Sequence, residues 1–164
     1  MVDVHLIAGS TGAGKTTGAR ELEARLGAMR FSIDEWMTAL FWMDSPQPVD
    51  GAWAMVRIER CYAQIWTVAA AIAARGVPVV LDLGFTTRET RTRFAGLARD
   101  AELTVQLHFV DVPADERWRR VEARNASADG PLEFAVTREM FDFVEAMWEA
   151  PDAAELAALD GLSA

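Results

Sequence analysis

Residues 9–16 read Gly9-Ser10-Thr11-Gly12-Ala13-Gly14-Lys15-Thr16, which fits G-x-x-x-x-G-K-[ST] without a mismatch. A glycine-rich turn lets successive backbone N–H groups converge on an anion without Cβ clashes. The apolar run Val4 to Ala8 precedes it. A helical pattern follows, with Ala19, Leu22 and Leu26 on one face and Gly27 as its stop. Strand, glycine turn and helix in that order bring the positive end of a helix to the turn. The expected ligand is a nucleotide triphosphate wrapped by the backbone of residues 9–14. Lys15 would reach the β- and γ-phosphates, the Thr16 hydroxyl would serve Mg²⁺, and Thr17 lies beside it. A chance glycine turn would need neither the strand before nor the helix after.

Outward from this segment, strand-like runs alternate with helical patterns, as in parallel βαβ units of an α/β layer fold. Strands are expected at 29–33, 77–83 and 103–111. Helices are expected at 36–43, 52–75, from a capping box Thr86-x-x-Glu89 onward, and at 114–125, 137–149 and 152–159. The run at 77–83 is apolar throughout, as a strand buried on both faces should be. The run at 103–111 alternates, which suits a place near a sheet edge or a face left partly uncovered. No fifth strand is legible. Asp44 to Gly51, with two prolines and a glycine, reads as a loop and a candidate flap.

The chain has 164 residues and 51% hydrophobic content, enough for one domain with its own core. Its net charge of −9, from 25 acidic against 16 basic side chains, works against polynucleotides and anionic membranes without excluding a local basic groove. No apolar run approaches the roughly 20 residues of a membrane span. The opening Met1-Val-Asp-Val-His lacks the order of an export signal, so a cytoplasmic setting is expected. The one cysteine, Cys61, excludes an internal disulfide and reads as a small core residue. His5 and His108 lack ligand-like partners, so no metal beyond Mg²⁺ is expected. There is no Asn-Lys-x-Asp base reader, and no second carboxylate follows Asp82. Both absences favour a small phosphotransferase over a GTPase or a coupled ATPase.

Four features in order, the phosphate loop, Phe31-Ser-Ile-Asp34-Glu35, Val79-Val-Leu-Asp82 and Arg120-x-x-x-Arg124, resemble the small P-loop kinases of the adenylate-kinase-like superfamily. The resemblance is to the zeta-toxin-like and chloramphenicol-phosphotransferase-like branch of AAA-type ATP-binding kinases. It covers residues 1–125 well and the tail loosely, through Trp148-Glu149-Ala-Pro151. It implies a three-layer P-loop fold over 1–164, with a parallel sheet of four or five strands and a helical lid near 114–131. It also implies ATP-dependent phosphorylation of a hydroxyl on a small molecule, such as an antibiotic or metabolite. A polynucleotide 5′-hydroxyl kinase and a non-catalytic ATP-binding regulator are the alternatives.

The resemblance gives Asp34 the role of the base that takes the acceptor proton; as a residue it could equally cap a helix starting near Trp36. Asp82 is placed as a Mg²⁺ or acceptor holder, against a plain turn residue. Arg120 and Arg124 match the lid pair that contacts base and phosphates. By spacing, Arg117, Arg120 and Arg124 share one helical face, which a solvated basic face would also explain. Arg88 and Arg91 either hold an anionic substrate or are exposed helix charges. Trp36, with Phe41, Trp42 and Trp53, either walls an acceptor pocket or packs in the core.

Overall fold

The computed structural model describes residues 2–48, 50–127 and 136–163. Its elements run β1 (Val4–Ala8), α1 (Lys15–Leu26), β2 (Met29–Ser32), α2 (Ile33–Phe41), a 3-10 turn (Trp42–Asp44), α3 (Gly51–Ala73), β3 (Val79–Asp82), α4 (Arg88–Asp100), β4 (Val105–Phe109), α5 (Ala114–Asn125), α6 (Arg138–Met147), α7 (Ala153–Ala158) and β5 (Leu162–Ser163). The strands form one parallel sheet in the order β2-β3-β1-β4-β5. It is an α/β P-loop architecture with four full strands and a two-residue β5 beyond β4.

Alternation along the strands sets the layers. Val4, Leu6 and Ala8 of β1 point with Val79 and Leu81 of β3 into the main core, where Cys61, Ile65 and Ala69 of α3 and Phe94 and Ala98 of α4 cover them. Ile7 and Val80 point the other way, onto Ala19 and Leu22 of α1. β1 is therefore buried on both faces, which explains its unbroken apolar run. A satellite cluster of Val121, Val136 and Phe141, with Trp118 against it, joins α5 to α6.

Most expected elements appear within a few residues of their expected bounds, and the differences have local causes. β5 exists and pairs Leu162 with His108, but two residues are too few to show periodicity. α2 starts at Ile33, not near Trp36, because Ser32 caps it by accepting from the Glu35 N–H. That removes the cap role considered for Asp34, which lies inside the first turn. Likewise Thr87, not Thr86, caps α4 by accepting from the Thr90 N–H, so the expected capping box does not form. Trp36 packs, partly buried, against the core, its ring tilted to that of Phe31 with centroids 6.4 Å apart. The turn expected at Asp129-Gly130-Pro131 lies outside the described residues. Its flanks are pinned, since the Asn125 amide donates to the Val136 carbonyl at 2.8 Å and accepts its N–H at 3.1 Å.

Candidate functional site

The C-terminal ends of β1, β2 and β3 open on one cavity of about 850 Å³. Gly9, Thr11, Gly12, Gly14, Lys15, Thr16 and Thr17 form its floor; Asp34 and Asp82 stand on one side, Arg120 and Arg124 on the other. The rim of a parallel sheet is where open α/β folds bind ligands.

Two glycines of the floor are irreplaceable. Gly12 sits at φ 79°, and a Cβ there would lie 2.5 Å from the Arg117 carbonyl oxygen. Gly14 sits at φ 98° and begins α1 with no side-chain cap, so the N–H groups of the first turn face the cavity. Lys15, the chain's one lysine, folds back to donate to the Ser10 carbonyl at 3.2 Å. Burial holds its ammonium below the usual lysine range, opposed by the charges of Asp82 and Asp34.

Asp82 ends β3 beside Ser32 of β2 and is only 5% exposed. Burial raises its carboxyl above the ordinary range, against the charge of Lys15, a hydrogen bond with Thr16 and the charge of Arg30. Its Oδ2 has no hydrogen-bond partner, and the Arg30 Nη1 stands 3.8 Å away, too far for one. Arg30 is also bound by Glu35 at 2.5 Å and Glu23 at 3.4 Å. Burial works against its charge, but Glu35, Asp82 and Glu23 outweigh that and raise its pKa. Arg30 shows no motif in the sequence, and only its place in β2 brings it under Asp82.

On the opposite wall, Arg120 donates to the Ala13 carbonyl at 3.3 Å and to Glu116 at 3.0 Å. Arg124 lines the cavity with a buried Nη2 that has no partner. Arg117 shares their stripe but is locked away. It donates to the Val112 carbonyl, to the Thr11 carbonyl and, at 2.8 Å, to Glu145 of α6. Glu145 in turn accepts from the Ser10 hydroxyl at 2.9 Å, so α6 is latched to the phosphate loop.

The orphaned atoms suit a nucleotide and its metal ion. An uncapped helix start, a lysine satisfied by one carbonyl and an unpartnered guanidinium nitrogen suit phosphate oxygens, and the free Asp82 oxygen beside Thr16 suits a hydrated Mg²⁺. No cluster of three or more metal-ligating His, Cys, Asp or Glu occurs among the described residues.

Other expected site residues do not meet the cavity. The Ser10 side chain is turned to Glu145 and Ala13 is 2% exposed, so both contribute backbone only. Arg91 is wholly buried: it grips Glu155 at 2.5 and 3.0 Å and the Phe85 carbonyl at 3.0 Å. Arg88 binds Asp152 at 2.8 Å. Both arginines hold the tail of the chain, and neither lines the cavity. Trp36 does not line the cavity either and packs, partly buried, against the main core. Conversely, Met37, Ile58, Tyr62 and Leu83 line the cavity beside Asp34, although the helical stripe of Ile58 and Tyr62 reads as plain core.

Residues 4–147 match the AAA domain family AAA_33. The chain belongs to this family. No curated protein matches it. Among solved structures, Chaetomium thermophilum Kti12 in complex with ADP-AlF3 aligns with a TM-score of 0.71 at 16% identity, over 98% of this chain and 88% of that one. A sugar kinase from Janibacter aligns at 0.66 and 17%, over 100% and 85%. A chain of the Pnkp1/Rnl/Hen1 RNA repair complex aligns at 0.65 and 16%, over 91% and 47%. At these identities the likeness establishes a shared P-loop fold. Among the described residues no helix is long and apolar enough to cross a membrane.

Proposed function

We propose that this AAA domain is an ATP-dependent phosphotransferase that acts on a hydroxyl of a small molecule, in the zeta-toxin-like and chloramphenicol-phosphotransferase-like branch of P-loop kinases. The observation that carries this reading is that one cavity holds the phosphate loop, two arginines and an exposed carboxylate, Asp34, outside the phosphate-binding turn. ATP enters with its phosphates on the loop, Lys15, Arg120 and Arg124. Thr16 and Asp82 would hold Mg²⁺, which supplies charge neutralisation at the phosphates when bound. The acceptor oxygen forms a bond to the terminal phosphorus as the bond from that phosphorus to the bridging oxygen breaks. The acceptor proton passes to Asp34, and the arginines meet the charge left on the departing oxygen. A reducing, cytoplasmic setting belongs to the same reading and is supported by the single, buried Cys61.

Asp34→Asn tests the assignment. It should lower phosphoryl transfer roughly 10²–10⁴-fold with Mg-ATP affinity unchanged by calorimetry. Full transfer by this variant would remove the base from the scheme; unchanged ATP binding with no transfer by wild-type protein to any hydroxyl compound would favour a nucleotide-binding regulator.

A further inference from the structure

The two walls of the cavity differ in charge. Every cation that lines it, Lys15, Arg120 and Arg124, belongs to the loop and α5, where the phosphates of the donor would lie. The other wall, on α2, α3 and the end of β3, presents Ile33, Met37, Ile58, Tyr62 and Leu83 around Asp34 and Asp82. The Tyr62 hydroxyl donates to the Leu83 carbonyl at 2.7 Å, so the ring edge is fixed and its polar tip satisfied. Burial, with Glu59 and Asp34 adding to it, pushes that phenol up to about 12, so it stays neutral.

Arg60 of α3 is exposed to solvent and does not line the cavity, and the other arginines close to this wall are committed elsewhere. Arg57, one residue before Ile58, lies over the Trp53 ring at 3.9 Å and donates to the Trp53 carbonyl at 3.0 Å. Arg93 binds Glu59 at 2.7 Å, and Arg30 is shared by Glu35, Glu23 and Asp82. Arg88 and Arg91 are held by Asp152 and Glu155. The residues outside the described ones contain no Lys or Arg. With Asp82 assigned to Mg²⁺, an anionic group on the acceptor would therefore meet the exposed Asp34 carboxylate and no guanidinium among the residues lining that wall.

We infer that the acceptor is a hydroxyl compound with an apolar, ring-sized body and no anionic group. A neutral or aminated alcohol fits; a phosphorylated sugar, a nucleoside monophosphate, a hydroxy acid or a polynucleotide end does not. This rests on the phosphotransfer reading above for the word acceptor, but the wall's preference is measurable without turnover.

Three probes share a phenyl ring and a benzylic hydroxyl and differ in charge: 1-phenylethane-1,2-diol, 2-amino-1-phenylethanol and mandelate. Titrated into protein saturated with Mg-ADP and followed by ligand-observed NMR, the diol and the amino alcohol should bind, with mandelate about tenfold weaker or worse. Met37→Arg should raise mandelate affinity by a similar factor. Ile58→Arg serves the same end should the first variant not fold by circular dichroism. Equal or tighter binding of mandelate to wild-type protein, no saturable binding of any probe, or folded arginine variants that leave mandelate unchanged would each overturn the inference. Failure of Asp34→Asn to affect transfer would instead sink the base assignment and leave the probe ranking standing. If Mg-ADP does not bind, the kinase reading falls, and the same ranking is read on nucleotide-free protein.

Discussion

Arg88 and Arg91 on α4 and Arg120 and Arg124 on α5 are two pairs of arginines on the helices that follow β3 and β4, with opposite fates. The first pair is consumed by Asp152 and Glu155 from the tail. The second keeps guanidinium nitrogens toward the cavity, one of them buried without a partner. Spacing on a helix decides which side chains travel together; acids brought in from elsewhere decide which remain free to bind a ligand. The first pair therefore belongs to stability and the second to phosphate chemistry.

The sharpest test of that division is Arg91→Ala, which leaves the buried Glu155 with only the Arg88 guanidinium, 3.6 Å away. Unfolding in urea should show a loss of about 3–5 kcal/mol, whereas Arg91→Met combined with Glu155→Leu should recover most of it. Next in size, Arg124→Ala should lower kcat/KM for ATP about 10²-fold in steady-state kinetics while the urea midpoint hardly moves. An unfolding defect with normal turnover there would erase the contrast between the pairs. Arg88→Ala removes the exposed pair with Asp152 and a longer contact to Glu155, which keeps Arg91, and should cost about 1 kcal/mol with turnover unchanged.

The smallest effect concerns Arg117, the third arginine of the α5 stripe. Its hydrogen bond holds Glu145 below the usual carboxylate range, against burial and helped by Ser10. A depressed folded pKa means the latch contributes fully above the ordinary value of 4.5 and fades as pH falls through the folded value. Glu145→Gln should therefore lower stability by at most about 1 kcal/mol at neutral pH, with a difference from wild type that shrinks as pH falls through that window.

What the sequence shows follows the reach of each interaction. The phosphate loop, α1 with its Gly27 stop and the buried β1 and β3 are legible because the governing contacts are local or periodic. The grip of Glu155 on Arg91 spans 64 residues and leaves no trace in either segment, so the arginine reads as free. Arg30 and Glu145 are hidden for the same reason: one lies in a strand and one in a helix, and only pairing brings them to Asp82 and Ser10. Ile58 and Tyr62 are ambiguous for a different reason, since an apolar stripe looks the same against a core as against an open cavity. Asp34 could be placed at a strand end but not released from a capping duty until Ser32 was seen to fill it.

With a single lysine in the chain, the phosphate loop holds the molecule's sole side-chain primary amine. A low pKa keeps more of that amine in its nucleophilic, uncharged state at a given pH. An acylating ester should thus mark two places at most, Lys15 and the amino terminus, and mass spectrometry can tell them apart. Labelling of Lys15 that slows as nucleotide is added gives an occupancy gauge for this site that needs no acceptor, no turnover and no mutation.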